Sequence, residues 1–280
     1  MKFANLHLHS VYSDAQFTPE QLILIGKSLG YRAMALTDHD TDSGVPEFMA
    51  LGKREGIETI SGAEFYGLED GVKLHLTALD YDWNDPGIRA YIRQRCREQG
   101  EYTRKCVERG IRLGYIQDLT WNDVLTLSPD DAWLCIDSVM RVMQLKKLVP
   151  ADYDWAAFRK NVFSAPEART YRPKSCSARE VISVVRKAGG VVALAHPNHQ
   201  THLVEKLVGY GLNGIEVCHP SLSEGQPELA VEAAETFGLY RCGGTDHTGP
   251  MSGCGGEHAI GAYHGITEED FSILKERRLG

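Results

Sequence analysis

His7 and His9 stand two residues apart in "NLHLHSVYSD", and Asp14 follows five residues after His9. On an extended strand, side chains at i and i+2 leave the same face. The two imidazoles can therefore converge on one point, as the ligands of a divalent ion do. A lone pair of this kind is a weak signal, because most histidines are surface or satisfied core residues. Partners recur along the chain, however, each closing a short apolar run. "TDHD" contributes Asp38, His39 and Asp40; "GAEF" contributes Glu64; "KLHLTAL" contains His75. "AHPNH" carries His196 and His199, "EVCHP" carries Glu216 and His219, and "GGTDH" ends in Asp246 and His247. Singly, each has an ordinary explanation: a capping turn, an exposed carboxylate, a strand stopped by Pro197, a buried histidine with a partner. Seven successive strand ends bearing His, Asp or Glu are not explained one at a time.

The residue types narrow the chemistry. Imidazoles and carboxylates suit zinc, manganese or iron, and the lack of any C-x-x-C pair argues against a thiolate zinc site. Nine candidates exceed the needs of one ion. Two or three ions sharing a carboxylate would use them all, with Glu64 as the natural bridge. Such a centre generates a hydroxide near neutral pH and clamps phosphoryl oxygens during in-line displacement. Phosphoester hydrolysis is the reaction class most in need of that charge compensation.

The elements that must hold these groups alternate. "KFANLHLH", "RAMALTDH", "IETISGAEF" and "KLHLTALDY" read as strands. A helix is expected over "TPEQLILIGKSLG", with Thr18 as N-cap and Gln21 completing a capping box, and another over residues 44–55. From about Asp85 to Arg169 the pattern is helical, without a convincing strand. Alternation resumes with the helix "SAREVISVVRKAGG" and the strands "VVALAH", "GIEVCH" and "YRCGGTDH"; a last helix starts at Thr267. Strands separated by helices imply parallel βαβ units. Seven of them point to an α/β barrel, built from residues 1–84 and 170–280 and interrupted by a helical insertion over 85–169. Sites of such barrels lie at the C-terminal ends of the strands, where the candidate ligands fall.

Composition excludes other classes. The chain of 280 residues is 42% hydrophobic and 24% charged, an ordinary globular balance. No run approaches the ~18 apolar residues of a membrane span, and the N-terminus lacks the apolar core of a secretion signal. Seven scattered cysteines are expected to be reduced thiols in a cytoplasmic protein. A net charge of −8 disfavours long nucleic acids and leaves a small phosphorylated substrate as the expected partner.

"HLHSVYSD", "ALTDHD", "GAE", "AHPNH" and "GTDH" together resemble the successive motifs of the PHP (polymerase and histidinol phosphatase) family. The resemblance covers residues 1–83 and 172 to about 262. It implies a distorted (β/α)7 barrel with two or three manganese, iron or zinc ions. "YRPKSCSAREVISVVRKAGGVVALAHP" followed by "GIEVCHPS" is similar to standalone bacterial phosphoesterases, including nucleotide phosphatases and a cyclic phosphate dihydrolase, whose insertion helps form the substrate pocket. The implied first ion is held by His7, His9, Glu64 and Asp246, the second by Glu64, His75 and His196. The third would be held by Asp14, His39 and a last histidine. His247 directly follows Asp246, one residue short of the family's Asp-x-His. The candidate catalytic set is Glu64, Asp38, His199 and His219, with His199 and His219 placed to touch the phosphate or protonate the leaving oxygen. His219 also joins Arg169, Arg172 and Lys174 as candidate substrate contacts. Rival readings are an amidohydrolase-type C–N hydrolase, a 5′-3′ exonuclease on short oligonucleotides, and a barrel retained only as a binding module.

Overall fold

The computed structural model describes residues 3–150, 152–248 and 264–279. Its architecture is mixed α/β, with two sheets. The N-terminal sheet is parallel and has three short strands in the order β1 (Ala4–Asn5), β2 (Ala33–Ala35) and β3 (Glu58–Ile60). Its crossovers are α1 (Pro19–Ser28) and α2 (Val45–Glu55). The predicted capping box is formed: Thr18 N–H donates to Gln21 Oε1 at 2.9 Å, and Gln21 N–H to Thr18 Oγ1 at 3.2 Å. The helix α2 ends at Gly56, whose φ of 74° is open to glycine at little cost.

The second sheet runs β4 (Gly62–Glu69), β5 (Val72–Leu79), β6 (Val191–Leu194), β7 (Gly214–Cys218) and β8 (Tyr240–Gly243). It departs from uniform parallel alternation. The expected third strand is two strands, broken at Ser61, and β4 turns straight back into β5. Only Asp70 and Gly71 lie between them, with φ of 49° and 79°, and two residues can close an antiparallel hairpin but never a parallel crossover. β5 also pairs antiparallel with β6, while β6, β7 and β8 are parallel. The ladders do not join into one closed barrel. Isolated bridges link the sheets at two seams, Leu8 to His247 and His39 to Glu64. Each seam includes at least one residue singled out for chemistry, His247 in the first and both His39 and Glu64 in the second.

Between β5 and β6 the described chain is helical: α3 (Pro86–Arg112), α4 (Trp121–Thr126), α5 (Ile136–Leu145), α6 (Trp155–Phe158), α7 (Pro166–Arg169) and α8 (Ala178–Lys187). Residues between Tyr102 and Ala168 form a hydrophobic core of their own. The first half of α3 does not belong to it. Ile88, Tyr91 and Ile92 pack into the main core, where Tyr91 meets Phe65 edge-on at 5.5 Å. One long helix therefore spans both cores. The remaining helices, α9 (Val204–Val208), α10 (Gln226–Phe237) and α11 (Glu268–Lys275), cover the second sheet and its end. Among the described residues no helix is long and apolar enough to cross a membrane. Six described cysteines are free, and Cys254 lies outside the described residues.

Candidate active site

Beyond β1 the chain stays extended, and His7 and His9 leave it on one side with Nε2 atoms 3.2 Å apart. Asp246 Oδ1 reaches them from the end of β8, at 3.6 Å from His7 and 3.0 Å from His9. Glu64, from β4, stands at the centre of five imidazoles. Its Oε1 is 2.9 Å from His75 Nδ1, 3.2 Å from His196 Nε2 and 3.4 Å from His7 Nε2. Its Oε2 is 3.4 Å from His9 Nε2 and 3.0 Å from His39 Nδ1. His75 Nδ1 and His196 Nε2 are themselves 3.2 Å apart. Two ligand-type groups result, His7–His9–Asp246 and Glu64–His75–His196, with His9–His39–Glu64 joining them. The interior members are almost wholly buried, whereas His75, His196 and Asp246 keep 27%, 21% and 22% of their side chains exposed. Solvent and substrate therefore approach past those three.

These separations fit ions better than hydrogen bonds alone. Ligands about 2.0–2.1 Å from a common ion lie ~3.0–3.4 Å from one another in octahedral or tetrahedral geometry. Paired imidazole nitrogens at 3.2 Å need a proton or a cation between their lone pairs. His9 Nδ1, His39 Nδ1 and Glu64 Oε2 are buried and make no hydrogen bond among the described residues, although each has an ionisable atom in front of it. Buried polar atoms left so are rare in folded proteins, and an ion held between them would satisfy them.

Electrostatics agree with an anionic centre awaiting positive charge. Burial acts to raise the pKa of Glu64, but His75, His7 and His39 outweigh it and hold the carboxyl well below its usual range. Asp246 is depressed in the same way, burial being overcome by His7 and by hydrogen bonds with His219 and His9. Burial would lower His7 and His39; the carboxylates instead raise His7 well above its ordinary value and His39 to about 9. An ion bound there would replace those protons.

Glu216 was noted at a strand end but not counted as a site residue. Its Oε1 lies 2.7 Å from His7 Nδ1 and accepts from Thr77 Oγ1 at 3.2 Å; its Oε2 accepts the His196 backbone N–H at 2.8 Å. Burial would raise its pKa, yet His7, His219 and His196 lower it to about 2. The signal in the sequence was an acid inside an otherwise apolar strand, "GIEVC". His219 is buried beside it, and burial lowers the pKa of its ring. Its Nδ1 accepts the Ser221 N–H at 3.1 Å, so the neutral ring carries its proton on Nε2, 3.4 Å from Asp246 Oδ2.

The other expected site residues are dispersed. Asp14 sits between His9 Nδ1 and His39 Nε2, at 3.4 and 3.5 Å. Asp38 accepts from Ser10 N–H at 2.7 Å, Ser10 Oγ at 2.6 Å and Ser13 Oγ at 2.5 Å, which fixes the loop carrying Asp14. His247 stacks on Phe17, ring centres 5.1 Å apart, and belongs to none of the ligand-type groups among the described residues. His199 is exposed and hydrogen-bonded to Ser223 at 3.5 Å. Arg169 donates to the Ser164 carbonyl at 2.9 Å, and Lys174 lines an outer groove with Arg97 and Glu101. Arg172 does reach the mouth. With Asp14, Tyr66, Trp133, Asp137 and Arg159 it lines a cavity of about 160 Å³ between the ligand cluster and the helical segment. Tyr66 stacks on His39 at 4.7 Å, so this cavity begins where the ligands end. Arg159 was not among the sequence candidates.

A family model for the PHP domain matches residues 5–219. The chain belongs to the PHP family. The match takes in His7, Glu64, His196 and His219 and stops short of Asp246. This PHP protein is 28% identical over 252 residues to the phosphoribosyl 1,2-cyclic phosphate 1,2-diphosphodiesterase of Eggerthella lenta, covering 88% of this chain and 94% of that one. It is 25% identical to a 5′-3′ exoribonuclease of Haemophilus influenzae, covering 86% of this chain and 88% of that one. A solved structure from Bifidobacterium adolescentis, described as a candidate metal-dependent phosphoesterase, superposes with a TM-score of 0.80 at 24% identity. It covers 99% of this chain and 96% of the other, a likeness of fold.

Proposed function

We propose that this PHP protein is a metal-dependent hydrolase of small phosphate esters, with its two sheets acting as the halves of a distorted barrel. The observation that carries the reading is Glu64, one buried carboxylate within 3.4 Å of five imidazoles. His7, His9, Asp246 and Glu64 would hold one ion, and Glu64, His75 and His196 a second. Asp14 and His39 offer a further, less complete position. Divalent manganese, iron or zinc supplies Lewis acidity there, making water acidic enough to attack at neutral pH and neutralising phosphoryl oxygens. Residues of this chain do the rest. The His219 Nε2–H, beside Asp246, is placed to donate to a phosphoryl or leaving oxygen. Residues 85–169 act as a cap, and Trp133, Arg159 and Arg172 bind the part of the substrate that does not react. The six free thiols among the described residues suit a cytoplasmic location.

The test is a panel assayed after reconstitution with manganese: a phosphate monoester, a cyclic phosphodiester, a 5′-phosphorylated oligonucleotide and an amide. Turnover of the first two ahead of the others is expected. Preference for the oligonucleotide would make the protein an exonuclease, and turnover of the amide alone would end the phosphoesterase reading.

Two substitutions separate the roles of the periphery. Arg159→Ala or Arg172→Ala should raise KM about 10–100-fold, the loss of a charge-assisted hydrogen bond of ~1.5–3 kcal/mol, with metal content unchanged. An unchanged KM would remove the cavity from substrate binding. His247→Ala should leave the ions of the two main groups in place, because the ring packs on Phe17. Elemental analysis showing a lost ion would return His247 to the ligands.

A further inference from the structure

We propose that Glu216 is a positioning residue that sets both ligand groups at once, fixing the ring of His7 in one and the backbone of His196 in the other. The inference rests on reading those groups as metal sites. On the first side, Glu216 Oε1 is 2.7 Å from His7 Nδ1. A carboxylate accepts and cannot donate when ionised, so the Nδ1 proton is held toward Glu216 and the Nε2 lone pair faces His9, Glu64 and Asp246. On the second side, His196 has φ 29°, a left-handed conformation that non-glycine residues keep only where their surroundings hold them there. Its N–H is bound by Glu216 Oε2 at 2.8 Å, and this turn brings His196 Nε2 to 3.2 Å from both Glu64 and His75. Thr77 Oγ1 completes the set by donating to Oε1 at 3.2 Å.

Glu216 is not placed as a ligand itself, although it forms a fourth compact group with His7 and His219. The His7 nitrogen facing it is at hydrogen-bond distance, 2.7 Å, shorter than the ~3.0–3.4 Å between two ligands of one ion. His219 Nδ1 is already taken by the Ser221 N–H at 3.1 Å. A carboxylate is needed rather than any polar group of the same shape. An amide at 216 has one oxygen and one NH2. It can accept from His7 or from His196, and its NH2 then opposes the remaining N–H.

The experiment compares wild type and Glu216→Gln, stripped of metal and titrated with zinc in competition with a chromophoric chelator. Wild type is expected to bind at least two ions. In the variant the affinity at both main positions should fall about 10–100-fold, the usual effect of removing a group that orients a ligand. His75→Ala, by contrast, should weaken the Glu64–His75–His196 position alone. Zinc affinities of Glu216→Gln within twofold of wild type at both positions would overturn the proposal. Should the variant not fold, ring nitrogen shifts of His7 in zinc-loaded wild type decide instead: a protonated Nδ1 with Nε2 on zinc supports the assignment, and Nδ1 on zinc refutes it. A wild type that binds no zinc at all removes the metal reading and this inference together.

Discussion

Glu64→Gln is expected to lower kcat/KM by at least ~10²-fold, the scale of losing one strong transition-state contact. The substitution keeps volume and one acceptor but removes the negative charge that two cations would share. Glu64 is 1% exposed, so no solvent charge replaces it. It faces five imidazoles, and the two nearest on the Oε1 side belong to the position that has no other carboxylate. The Glu64–His75–His196 position should therefore empty first, while His7, His9 and Asp246 retain an ion more weakly. Steady-state kinetics with elemental analysis of the same preparation give both numbers. A variant within tenfold of wild type and holding its full complement of ions would mean that Glu64 carries no shared charge.

What could be read from the sequence was whatever short-range rules decide. The period of two in "HLH" put two imidazoles on one side, and Thr18 with Gln21 fixed the start of α1. The strand ends named Glu64, His75 and His196, which tertiary structure gathers into one group, and Asp246, which it brings to His7 and His9. Three features depended on longer range. The antiparallel β4–β5 hairpin was signalled by Asp70–Gly71, but a βαβ rhythm read across the whole chain overrode that local sign. Arg159 reaches the mouth because of how the π-helical turn Arg159–Phe163 and α7 pack on α3, and a one-dimensional pattern carries no such information. The division of the helical segment between two cores was harder still. α3 reads as one helix from Pro86 to Arg112, and only the partners of Tyr91 and Tyr102 reveal that its two halves serve different cores. Asp38 shows the converse limit: its type suited catalysis, and three hydrogen bonds from Ser10 and Ser13 commit it to holding a loop.

Removing metal should have the largest effect of all, abolishing turnover and lowering the melting temperature together. Glu64, Glu216 and His7 are essentially inaccessible to water, and Asp246 is only partly exposed. Without ions their charges are balanced by protons on the histidines, which is why His7 and His39 are raised rather than lowered by their burial. An ion that binds the folded chain and not the unfolded one stabilises it by ~2.7 kcal/mol per site when present at a hundredfold excess over Kd. For a chain of this size that corresponds to a rise in Tm of roughly 5–10 °C per occupied site. Dialysis against a strong chelator should therefore bring activity to background and shift the melt downward, and manganese should restore both. The two readouts distinguish ion chemistry from ion-dependent folding. Activity lost while Tm holds would describe weakly bound catalytic ions, and Tm lost with unfolding at the assay temperature would describe structural ones. Full activity in protein verified to hold less than about one-tenth of an ion per chain would leave the cluster around Glu64 without the role its geometry supports.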